Sequence, residues 1–105
     1  MSNMNNWLEQ ANEFSAKLND CARNLEKAGD TRFVELDMLS MAVFDVAAVI
    51  RYFASYTAVP EETYFEFKAR LERALKVASR YSSPEAEKVR KAIIRVSSKL
   101  LELAL

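Results

Sequence analysis

Apolar side chains recur along this chain at steps that alternate between three and four residues, and they do so in four consecutive stretches. The first runs Trp7, Ala11, Phe14, Leu18, Cys21, Leu25 and Ala28, and the second Leu36, Leu39, Val43, Val46, Ile50 and Phe53. The third is Tyr64, Phe67, Leu71, Ala74, Ala78 and Tyr81, and the fourth Ala86, Val89, Ile93, Val96, Leu100 and Leu103. Strands would alternate with a period of two, whereas this rhythm places every member of a stretch on one side of an α-helix. Helices striped in this way pack at a crossing angle of roughly +20° in a left-handed bundle.

Punctuation is sparse, with one Gly and two Pro in 105 residues, and it falls between the stripes. The breaks are Gly29-Asp30-Thr31, Thr57-Ala58-Val59-Pro60 and Ser82-Ser83-Pro84. Gly29 is placed to close a helix in the left-handed conformation, Asp30 or Thr31 to cap the next, and Ser83 to cap the last. Pro60 and Pro84, each followed by glutamates, suit a first helical turn. Helices are therefore expected over about 6–28, 31–56, 60–81 and 84–103 of a single domain spanning 1–105, with the residues before Asn6 frayed. Connections this short make consecutive helices antiparallel neighbours. The fold class is all-α: a four-helix antiparallel bundle (up-down-up-down), or helical hairpins paired in a dimer.

The chain has no histidine, which removes the commonest general base and metal ligand. No phosphate-binding loop, dinucleotide fingerprint or nucleophile elbow occurs, and the sequence reads as no enzyme, with no cofactor and no metal site. Asp37 and Asp45 lie two turns apart on one helix face, but two carboxylates alone make a poor cation site. Cys21, the only cysteine, falls on the first stripe and is expected to be buried and unreactive. Lacking a disulfide partner, it points to a reducing, cytoplasmic setting. The opening MSNMNNWLEQ has no basic or long apolar run and does not read as a signal peptide. The stretch from Met38 to Ile50 is broken by Ser40 and Asp45 and is too short to cross about 30 Å of hydrocarbon, so no membrane is expected.

Function must then reside in what the stripes leave over. Opposite its stripe, helix two carries Val34, Met38, Met41, Phe44, Ala48 and Tyr52, with Asp37, Asp45 and Ser55 among them. No helix is central in a closed four-helix bundle, so this second apolar face calls for a cover: helix four, the chain start, a partner protein or a second copy. Asp45 has no basic residue one turn away: if the face is buried it needs a cation or hydrogen-bond donors from another helix or another chain, and otherwise it marks the wet edge of an exposed helix. Six aromatics crowd the second turn, Tyr52, Phe53, Tyr56, Tyr64, Phe65 and Phe67, and Phe65 falls off the third stripe. It reads either as an interface anchor or as part of an aromatic cluster closing one end of the bundle.

Charge sums to zero but is polarised. Residues 1–56 hold five basic and eight acidic side chains, and residues 57–105 hold ten and seven, giving −3 and +3. Lys88, Lys91, Arg95 and Lys99 share the outer face of helix four, and Arg70, Arg73 and Arg80 that of helix three, among glutamates such as Glu66 and Glu72. The leading expectation is a small protein-interaction module that binds and regulates or inhibits another protein, most simply as a homodimer. Its binding residues would be Val34, Met38, Met41, Phe44, Asp45, Tyr52 and Phe65. The alternative is a nucleic-acid accessory protein using Lys88, Lys91, Arg95 and Lys99.

Overall fold

The computed structural model describes residues 3–55 and 58–104, and all side chains within them except those of residues 3, 4 and 54. These residues form four helices, α1 (Asn3–Lys27), α2 (Phe33–Ser55), α3 (Glu61–Ala78) and α4 (Pro84–Ala104), and no strand. Helix α1 begins ahead of its expected start, so residues 3–5 are helical rather than frayed. Helix α3 stops at Ala78, because Ser79 to Tyr81 turn back onto its last carbonyls. Met1, Ser2, Tyr56, Thr57 and Leu105 lie outside the described residues.

Local chemistry sets each boundary. Gly29 has φ of 73°, its N–H donates to Glu26 O at 3.0 Å, and the Asp30 N–H donates to Leu25 O at 2.9 Å. This paired closure caps the carbonyl end of α1 and needs the left-handed backbone that glycine adopts freely. The Asp30 carboxylate then accepts the Arg32 N–H at 3.0 Å and the Arg32 guanidinium, which holds its pKa down at about 2. That turn delays α2 to Phe33. Ser83 Oγ accepts the Ala86 N–H at 3.2 Å, the expected N-cap of α4, with Pro84 as first helical residue. Pro60, expected inside the first turn of α3, instead stands just before it with ψ of 153°.

Three stripes are core as expected. Leu39, Val43, Val46, Ile50 and Phe53 of α2, Phe67, Leu71, Ala74 and Ala78 of α3, and Ala86, Val89, Ile93, Val96 and Leu100 of α4 form one buried cluster. The first stripe needs correcting. Helix α1 buries Leu18 and Ala22, while Cys21 is exposed. A straight helix drifts by about 20° per heptad, so a stripe counted strictly from Trp7 has slid off the buried line by Cys21, its fifth member. Small residues complete that line: Ser15 Oγ lies 3.1 Å from Ser40 Oγ of α2, and Ala22 and Ala47 are buried.

Helix α2 is the centre of the molecule. It packs against α1, α3 and α4, whereas among the described residues the backbone of α1 meets α2 alone. The expectation that no helix is central therefore fails. Helices α1, α2 and α3 lie side by side, and α4 sits behind α2 and α3, giving an elongated body of 47 × 27 × 19 Å. Because α2 is enclosed from three directions, its buried arc is wider than one stripe and takes in Ala42, Ala47 and Val49. Two antiparallel helices that would close a square bundle, α1 and α4, are left apart.

Candidate interaction surfaces

The outer side of α2 lies between its two lateral neighbours. Towards α1, Asp37 pairs with Arg23, whose guanidinium also reaches Glu26, and the Asp37 hydrogen bond holds Arg23 above its ordinary pKa. Towards α3, Asp45 Oδ1 accepts from Arg70 Nε at 2.9 Å. The cation sought for Asp45 thus comes from this chain. Arg70, expected to face outward beside Glu66, is turned to α2 and is only 31% exposed. Neither carboxylate is available as half of a cation site, and the described residues contain no cluster of three or more metal-ligating side chains.

Between these two ion pairs stands a ridge of uncovered apolar side chains. Met41 is 64%, Phe44 61% and Val34 50% exposed, while Met38, Ala48 and Tyr52 are half-buried. Tyr52 presents its ring edge to Phe67 at 5.0 Å and so belongs to the α2–α3 seam. Phe65 is exposed, 5.4 Å ring to ring from its neighbour Tyr64. Tyr56, the remaining member of the expected aromatic cluster, lies outside the described residues. Ile94 and Leu101 on α4 are also exposed. They sit a heptad apart, off the stripe that marks the core face of α4.

The gap between α1 and α4 is a trough of about 390 Å³. Val43, Val46 and Ile50 of α2 form its floor, Trp7, Ala11 and Phe14 one wall, and Val89, Ala92 and Val96 the other. Lys17, Lys88, Lys91 and Arg95 surround it, opposed by Glu13 alone among its acidic lining residues. Two cations bridge the helices: Lys88 Nζ lies 4.9 Å from the Phe14 ring centre, and the Arg95 guanidinium 4.3 Å from that of Trp7. Lys91 pairs with Glu87 at 3.6 Å, and Lys99, away from the trough, with Glu102 at 3.4 Å. Lys88, Lys91, Arg95 and Lys99, the four expected on the outer face of helix four, therefore do not form one open stripe. Three line the trough, and every one has an intramolecular contact.

No family model, curated protein or solved structure matches this chain. What it can do is argued from its own side chains. None of the described helices is long and apolar enough to cross a membrane.

Proposed function

We propose that this chain is a non-enzymatic, cytoplasmic protein-interaction module that regulates or inhibits by docking the outer ridge of α2 against another protein, in the simplest arrangement a second copy. The observation that carries this reading is the exposure of Val34, Met41 and Phe44 on the helix whose remaining surface is the most enclosed in the molecule. A helix held on three sides cannot rotate to hide them. Such a rigid apolar strip, edged by the Asp37–Arg23 and Asp45–Arg70 pairs, matches the apolar centre and polar rim of protein interfaces. Met41 suits an adaptable contact and Phe44 an anchoring one. Two-fold pairing would set the ridge against itself, which closes the assembly at a dimer.

The nucleic-acid alternative has less support, because Lys88, Lys91 and Arg95 line the trough between α1 and α4 while Lys99 stands apart from it beside Glu102, so the four present no continuous track for a phosphate backbone.

Sedimentation of the parent beside Met41→Glu and Phe44→Glu tests the proposal. Both side chains are exposed and glutamate is a good helix former, so helix content should persist while the parent dimer shifts to monomer. A parent that is monomeric at every concentration, or a dimer indifferent to both changes, removes the second copy as the partner.

A further inference from the structure

The trough between α1 and α4 shares no residue with the ridge on α2, and its lining differs in character. Its floor is aliphatic, its α1 wall carries the aromatic faces of Trp7 and Phe14, and four cations stand around it in a chain of zero net charge. From this combination we infer that the trough is a second docking site, and that its occupant is a short amphipathic helix of a partner protein with glutamates or aspartates flanking its apolar side. The inference extends the interaction-module reading to a different surface and a partner of stated charge.

Shape and charge both select that occupant. The trough runs along α1 from Trp7 to Lys17, a rise of about 15 Å at 1.5 Å per residue, which is the reach of two to three helical turns. It lies where the fourth contact of a square bundle would be, so an added helix would meet α1, α2 and α4 at once. Lys88 and Arg95 now close it only by lying over Phe14 and Trp7. Exposed contacts of that kind are weak, and a carboxylate on the incoming helix offers each cation a charge-assisted hydrogen bond in exchange. Swinging aside, the two side chains would uncover Trp7, Phe14 and the valine floor for apolar side chains. A neutral helix would leave the cations without that exchange, and a basic one would also meet their repulsion.

Trp7 is the only tryptophan, and it reports occupation directly. The probes are a tryptophan-free peptide of about 14 residues with Leu and Ile on one face and Glu beside them, the same peptide with Lys for Glu, and decanoate. A saturable change in Trp7 emission is expected with the Glu peptide, at least about tenfold weaker with the Lys peptide and with the double variant Lys88→Glu, Arg95→Glu. Both substituted positions are exposed, and circular dichroism verifies that the variant is folded. No saturable response to the Glu peptide, equal binding of the two peptides, or undiminished binding by the variant each overturns the inference. Saturation by decanoate without the Glu peptide overturns it too, by reassigning the trough to a small amphiphilic anion. The Met41→Glu variant should bind the Glu peptide as the parent does, so loss of self-association at the ridge and loss of peptide binding at the trough are read separately.

Discussion

Gly29 and Cys21 show how differently single positions respond to their surroundings. A Cβ added at Gly29 would meet nothing within 4 Å, so sterics with neighbours cannot explain a glycine there. The cause is φ of 73°, a conformation that costs an L-residue roughly 1–2 kcal/mol. Gly29→Ala should therefore lower the unfolding free energy by that amount, read as a lower urea midpoint with an unchanged slope, and Gly29→Asn should recover part of it. Cys21 lies one position from the buried line of α1 and is exposed. Its thiol should react with a thiol reagent in native buffer at a rate comparable to that in the unfolded chain. Strong protection in the folded protein would contradict the observed orientation of α1.

Helix ends here are finished by residues from other elements as well as by their own caps. The carbonyls at the end of α3 are met by Arg90 of α4, whose Nη1 donates to Ala78 O at 2.6 Å and Tyr81 O at 2.7 Å. One guanidinium thus neutralises the negative end of α3 and fastens the α3–α4 turn, a contact no local motif announces. Arg90→Met keeps the packing of the stem but leaves both carbonyls short of a donor. It should cost about 1.5–3 kcal/mol in denaturant unfolding, with Arg90→Lys intermediate. The start of α3 is closed differently. Val59, buried just before Pro60, and Tyr64 in the first turn join the same core cluster, the spacing of a hydrophobic staple.

The arrangement of the four helices as a whole follows from the breadth of the apolar surface on α2. Enclosure by α1, α3 and α4 makes Leu39, with 0% exposure, and Ile93, with 1%, members of one core, although they lie on different helices. Leu39→Ala and Ile93→Ala should each cost about 2–5 kcal/mol, measured by denaturant unfolding. A loss below about 0.5 kcal/mol at both would refute the shared core. Centrality also decides where function can reside. Spending so much of α2 on the interior leaves only a narrow ridge outside, and displacing α4 behind α2 and α3 opens the trough beside α1.

Periodicity was enough to reveal the four helices, three of the four buried stripes, and the caps at Gly29 and Ser83, because these depend on neighbours within a turn or two along the chain. The exposed ridge of Val34, Met41 and Phe44 was legible for the same reason, since a second apolar face shows on a helical wheel. What covers a face is another matter. Whether α2 is peripheral or central, whether Asp45 finds Arg70, and whether Lys88, Lys91 and Arg95 form an outer stripe or the wall of a trough all depend on which helices lie side by side. Heptad stripes are interchangeable in that respect, because any one can bury against any other. Seating α1 against α2 through Ser15, Ser40 and Ala22, two of them polar and the third one position off the apolar stripe, is what turned Cys21 outward and Trp7 and Phe14 toward α4.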